Sequence, residues 1–234
     1  MKKNSKYDLG IIGGMGSEAT VEIFNRIISK TKHEKDQDFM RICILNDSVI
    51  PDRSKAILEG GESPISYINE DIKKLKKIGV RYFIVPCNTA HYFVRKMSKK
   101  GIDFIDMIFE TLKFIEENYQ GKKVCLLATT GTVESGVYFE GNKIPFVKLD
   151  NKNQNKVMNV ITKTKEIGVT NESLNELNEV INSVLKNINK EEVVFILGCT
   201  ELSLYLKDLK EINVVDAMDV LVNKAIEKCG YSLK

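Results

Sequence analysis

Short, wholly apolar runs alternate along this chain with longer stretches in which apolar residues recur every three or four positions. Leu9–Ile12 reads as a strand, and the turn Gly13-Gly14-Met15-Gly16-Ser17 leads into a helix expected to bury Val21, Phe24, Ile27 and Ile28. Arg41-Ile42-Cys43-Ile44-Leu45 reads as a second strand, followed by a polar loop holding Pro51. Ser63-Pro64 then supplies a cap and a first-turn proline for a helix with Ile65, Ile68, Ile72, Leu75 and Ile78 on one face, closed by Gly79. Tyr82-Phe83-Ile84-Val85 is a strand running into Pro86-Cys87. The second half repeats the theme. Val124–Ala128 is a strand ending in Thr129-Thr130-Gly131-Thr132, a stripe at Leu174, Leu177, Ile181, Val184, Leu185 and Ile188 is a long helix, and Val194–Leu197 is a strand running into Gly198-Cys199. Strands alternating with helices predict an α/β fold with parallel sheets flanked by helices. The repetition divides it into two similar lobes, residues 1–104 with 211–234 and residues 105–210. The last strand, Val214-Val215-Asp216, is assigned to the first lobe.

A chain of 234 residues has room for both lobes. Its 35 Lys and Arg against 32 Asp and Glu leave a net charge of only +3, and the lysines are spread through helical stretches, which does not suggest nucleic-acid binding. The N-terminus Met1-Lys2-Lys3-Asn4-Ser5-Lys6 is basic, but the apolar run after it is interrupted by glycines and lacks a cleavage site. No apolar run approaches a membrane span, so a cytoplasmic protein is expected. Five cysteines without a secretion signal favour free thiols over disulfides. Cys43, Cys125 and Cys229 read as packing residues.

Cys87 and Cys199 read differently, because each ends a buried strand and is followed by Asn-Thr or Thr-Glu. In parallel α/β sheets, sites form beyond the C-terminal ends of the strands. A thiol at a helix start is expected to titrate below its ordinary value of about 8.5. Two thiols brought to one crevice suit a proton transfer in which one takes a proton and the other gives one, as in inversion at a weakly acidic carbon. Asn88, Thr89 and Thr200 are at hand as donors to a carboxylate gaining enolate character. Cys87, His91 and Cys199 do not make a tetrahedral zinc set at any recognised spacing. The glycine turn fits neither the dinucleotide fingerprint nor the P-loop, and no pyridoxal-phosphate signature is present, so no cofactor is expected.

Several stretches resemble one family together. Ile11-Ile12-Gly13-Gly14-Met15-Gly16 with Glu18-Ala19-Thr20, Ile50-Pro51-Asp52-Arg53, Pro86-Cys87-Asn88-Thr89-Ala90-His91, Leu127–Thr132 with Ser135–Tyr138, and Gly198-Cys199-Thr200-Glu201 are similar to the aspartate/glutamate racemase superfamily. Within it they are most like the pyridoxal-phosphate-independent aspartate racemases. The resemblance implies two pseudo-symmetric α/β lobes with the active site in the cleft between them, usually in a homodimer. It implies Cys87 and Cys199 as the catalytic acid/base pair and Asn88, Thr89 and Thr200 as holders of the substrate α-carboxylate. Met15, Thr129, Thr130 and Thr132 would line the pocket. Arg53 would bind a distal carboxylate together with a lysine, Lys165 or, failing that, Lys163. The implied activity is interconversion of L- and D-aspartate.

Three departures from the family pattern stand out. Ser17 takes the place of a common proline and is expected to loosen the glycine turn. Asn46-Asp47-Ser48 replaces a different loop near the distal pocket. Glu201 stands where glutamate racemases carry His, which points to the aspartate branch. The alternatives are a glutamate or broad-specificity racemase, a non-catalytic small-molecule-binding protein, and a dithiol redox or metal protein.

Overall fold

The structure is a computed structural model that describes residues 6–234, so the basic segment Met1–Ser5 lies outside it. Two four-stranded sheets, parallel throughout, have the same strand order. The first takes β1 (Tyr7–Gly13), β2 (Ile42–Asn46), β3 (Val80–Ile84) and β4 (Asp103–Phe104) in the order β2-β1-β3-β4. The second takes β5 (Lys123–Leu127), β6 (Phe146–Val147), β7 (Val193–Leu197) and β8 (Val214–Asp216) in the order β6-β5-β7-β8. Helices α1 (Ser17–Lys30), α2 (Arg53–Leu58), α3 (Ile65–Lys77), α4 (His91–Val94) and α5 (Met107–Asn118) connect or follow the first set of strands. Helices α6 (Thr130–Glu134), α7 (Asn151–Ile167), α8 (Asn171–Leu185) and α9 (Ala217–Cys229) do so for the second.

The period-two alternation of each strand sorts its side chains between two cores. Leu9 and Ile11 of β1, Val124 and Leu126 of β5, and Val194 and Ile196 of β7 face a single central core with α1, α5 and α9. Cys125, Leu127, Phe195 and Leu197 face outward onto α7 and α8, while Ile12 and Phe83 pack with α3. Both faces of each sheet are thus apolar, which is why these strands read as unbroken hydrophobic runs. The two lobes share one central core.

Two expectations are corrected. Val214–Asp216 does not return to the first lobe; it lies parallel to β7, with Phe195 opposite Val214 and Leu197 opposite Asp216. Its three residues carry no periodic signal of which sheet they join, and the short connection from β7 keeps it beside its predecessor. The helix after it, α9, does reach the first lobe: Arg26 of α1 donates to Asp216 and Asp219, and Lys30 to Asp219. In α1 the buried stripe is Ala19, Thr20, Ile23 and Ile27, whereas Val21 and Ile28 face solvent.

The turn after β1 is tighter than its sequence suggests. Gly14 has φ +85°, and a Cβ there would stand 2.3 Å from the Asp47 backbone. Its N–H donates to Thr20 Oγ1 at 3.0 Å. Ser17 does not loosen this turn; its Oγ accepts from Asn46 Nδ2 at 2.9 Å, tying the turn to the end of β2. Gly14→Ala is expected to cost more than the roughly 1–2 kcal/mol of left-handed strain alone, because Asp47 must also move. A thermal midpoint within a degree of the parent protein's would refute this. No helix among the described residues is long and apolar enough to cross a membrane.

Candidate active site

The side chains singled out in the sequence converge beyond the C-terminal ends of β1, β3, β5 and β7, the four central strands. One small cavity of about 30 Å3 is lined by Met15, Arg53, Cys87, Asn88, Thr89, Thr129, Lys165, Cys199 and Thr200, together with Asp52, Ser54 and Glu201. A vestibule of about 330 Å3 shares Met15, Arg53, Lys165, Thr200 and Glu201 and opens between Gly14–Ala19, Glu22 and Leu204. The two cations arrive by equivalent routes: Arg53 begins the helix after β2, and Lys165 lies in the last turn of the helix after β6. Close packing sets the spacing of the two sides. A Cβ at Gly131 of α6 would lie 2.6 Å from Ser54 Oγ of α2.

Most polar groups in the wall have committed partners. Tyr138, fully buried, donates its hydroxyl to Asn88 Oδ1 at 2.6 Å, which leaves the Asn88 amide hydrogens for a ligand. Thr89, Thr129 and Thr132 form a closed ring of hydroxyls at 2.8–3.1 Å. Arg53 gives Nη1 to the carbonyls of Ile50 and Pro51 and Nη2 to that of Met15. Its Nε–H is buried with no partner. Cys199 Sγ donates to Glu201 Oε2 at 2.8 Å, Thr200 Oγ1 donates to the same oxygen at 3.1 Å, and Lys165 Nζ stands 3.6 Å from Glu201 Oε1.

The sequence profile of the Asp/Glu/Hydantoin racemase family matches residues 12–225. The chain belongs to this family. Among solved structures it is similar to the aspartate racemase of Picrophilus torridus, with 35% identity, a TM-score of 0.81, and coverage of 97% of this chain and 95% of that one. Among curated proteins it is 24% identical to the broad specificity amino-acid racemase RacX of Bacillus subtilis, over 93% of this chain and 96% of that protein. It is also 27% identical to the glutamate racemase of Fusobacterium nucleatum, over 64% of this chain and 58% of that protein. Family membership makes the chain an amino-acid racemase.

Several sequence expectations for this racemase change once side chains are placed. Thr130 and Thr132 are not on the cavity wall: Thr132 is buried behind it as a support for Thr89, and the Thr130 N–H meets Met158 Sδ at 3.2 Å. Lys165, not Lys163, reaches the cavity, because Lys163 faces outward to Glu172 and Glu176. Burial pulls the Lys165 ammonium down, but Glu201 and the sulfurs of Cys199 and Cys87 outweigh it and hold the group above its ordinary value. Cys199 is not eased toward thiolate. Burial, together with the Glu201 carboxylate, pushes its thiol well above the ordinary range. The expected dipole is weak because a 3-10 helix, Leu202–Asp208, follows Cys199, while only the four-residue α4 follows Cys87. Glu201 and Tyr138 are further residues of the site: an acid two positions after a strand-ending cysteine is the sequence signal for the first, and the second has none of its own.

His91 is no zinc ligand in this arrangement. Its Nε2 accepts from the Met107 N–H at 3.1 Å, so Nδ1 carries the proton and donates to the Cys87 carbonyl at 2.9 Å. Among the described residues, no group of three His, Cys, Asp or Glu side chains is placed to hold a metal. Complete burial holds the His91 imidazolium below its ordinary value, against the opposing pull of Asp106. The folded state therefore refuses a proton that the unfolded chain accepts, and its stability is present above the unfolded pKa and lost as pH falls below about 6.5. Calorimetry across pH 5–7 is expected to show this decline, and His91→Gln, which can make both hydrogen bonds, should flatten it. An unchanged slope in that variant would remove His91 as the cause.

Proposed function

We propose that the protein interconverts L- and D-aspartate without a cofactor, using Cys87 and Cys199 as opposed acid and base. The observation that carries this reading is that the two strand-ending cysteines line one cavity with a half-satisfied guanidinium. In one direction the Cys87 thiolate takes the α-hydrogen as a proton, and the Cys199 thiol delivers its proton to the opposite face of the carbon. The enzyme ends with Cys87 as thiol and Cys199 as thiolate; the reverse reaction exchanges them. Asn88 Nδ2–H and the backbone N–H groups of Asn88, Thr89 and Thr200 hold the α-carboxylate and stabilise the charge that develops there, the Thr89 and Thr200 hydroxyls being engaged within the wall.

Arg53 supports an acidic substrate. Three of its five donors are tied to backbone carbonyls, and the buried Nε–H with the remaining Nη2 hydrogen is left to grip a carboxylate. Lys165 adds a second cation. Its substitution by Met is expected to raise the KM for aspartate more than it lowers kcat, and a kcat loss with KM unchanged would argue against a binding role. A homodimer is part of the same reading, to be checked by light scattering.

A second reading, glutamate or broader specificity, is favoured by the vestibule that shares Arg53 and Lys165 with the cavity and would accommodate a longer side chain. Incubation of L- and D-aspartate, glutamate and alanine in heavy water tests both readings. The first requires deuterium at the α-carbon and the opposite enantiomer, fastest with aspartate. Faster turnover of glutamate would favour the second, and no exchange with any of them would defeat both.

A further inference from the structure

The two lobes match in topology but not at the residue two positions beyond each cysteine. Setting Cys87-Asn88-Thr89 beside Cys199-Thr200-Glu201 puts Glu201 where the first lobe has Thr89. Thr89 turns its hydroxyl away, into the ring with Thr129 and Thr132. Glu201 turns its carboxylate back onto the preceding thiol, 2.8 Å from Cys199 Sγ, and its side chain is only 11% exposed. Among the described residues, no hydrogen bond of this kind is made to the Cys87 sulfur.

A carboxylate accepts a hydrogen bond from sulfur only while the sulfur keeps its proton. If that proton leaves for solvent, two anions stand in contact in a mostly buried site, where Coulomb repulsion is weakly screened. The other charged or titratable groups facing this pair are Lys165, which stands by the far carboxylate oxygen, Cys87, Arg53 and Asp52 on the same cavity wall, and Glu18 and Glu22 of α1 across the vestibule. Lys165 partly neutralises Glu201 but approaches Oε1, while the thiol uses Oε2.

We propose that Glu201 is a positioning residue that pins the proton on Cys199 in the resting enzyme, so that Cys87 is the resting base. This rests on the two-thiol reading. The enantiomer whose α-hydrogen faces Cys87 then meets an enzyme ready to act. Its mirror image needs Cys199 as thiolate, which becomes available only when the proton moves to Glu201 or leaves the pair. After each turnover from the Cys87 side, the new Cys199 thiolate sits against Glu201, and this repulsion favours its reprotonation.

The test is the pH dependence of alkylation of Cys199 by iodoacetamide in the substrate-free protein, followed peptide by peptide by mass spectrometry. Glu201→Gln keeps the shape and removes the charge. Its alkylation midpoint is expected to fall by about 1–3 pH units relative to the parent protein, the range for a like charge in contact. Glu201→Asp keeps the charge and is expected to stay near the parent. Simple loosening of the site would instead raise the high-pH plateau and leave the midpoint in place. An unmoved midpoint in Glu201→Gln, or an equal fall in Glu201→Asp, would overturn the proposal. The readout needs no turnover, so a shifted midpoint in a protein that exchanges no α-hydrogen would sink the racemase reading and leave the role of Glu201 standing.

Discussion

Cys199→Ala is expected to lose racemisation of aspartate in both directions by at least about 10²–10⁴-fold, the usual worth of a positioned acid or base. It should nonetheless keep half of the chemistry. Cys87 remains able to take a proton from the enantiomer that faces it and return one from the same side, so that enantiomer should exchange its α-hydrogen with heavy water without inverting. The mirror-image substrate should keep its hydrogen. Cys87→Ala should show the opposite pattern, more slowly, because Cys199 must first give up the proton held against Glu201. Proton NMR of each pure enantiomer with each variant reads this directly. Loss of exchange from both enantiomers in both variants would mean that the thiols do not act singly, and full racemisation in either would end the two-thiol mechanism. Cys125 supplies the internal control: it faces the core under α7 and α8, fully buried, with its thiol pushed up to about 12 by desolvation, and Cys125→Ala should leave both exchange patterns intact.

Arg53→Met should lower kcat/KM for aspartate by about 10²–10⁴-fold while changing that for alanine far less. Hydrogen bonds to a charged group contribute roughly 1.5–3 kcal/mol each, and the free edge of this guanidinium offers two. The substitution also strips the carbonyls of Met15, Ile50 and Pro51 of their partner, so some loss of stability is expected. Comparing two substrates on the same variant cancels that damage, because a misplaced Met15 turn harms both alike. Arg53→Lys keeps a charge without the planar fork and should fall between the two. Equal losses for aspartate and alanine would show that Arg53 holds the turn and does not read the side chain.

Much of the fold was legible because parallel strands buried on both faces leave continuous apolar runs, and glycine or threonine turns mark where each run ends. Cys87 and Cys199 stood out for the same reason: each closes such a run. Other features carried no local signal. Val214–Asp216 is too short to indicate a partner, and α1 reveals its inner face only once α9 and the central core are in place, which turns Val21 and Ile28 outward. Choosing Lys165 over Lys163 needed the helical phase of α7, two residues being about 200° apart on a helix. The elevated Cys199 thiol was invisible in the sequence because it depends on which way Glu201 folds back, and a strand-to-helix motif does not encode a side-chain rotamer.

The mismatch between Thr89 and Glu201 has a consequence for how this racemase distributes its rates. L- and D-aspartate have equal free energy in water, so the overall equilibrium constant is one, and kcat/KM must be the same in both directions at every pH. An enzyme with unlike halves cannot express that unlikeness in its specificity constants. Any bias from Glu201 is confined to saturation: the direction with the larger kcat must also carry the larger KM, by the same factor.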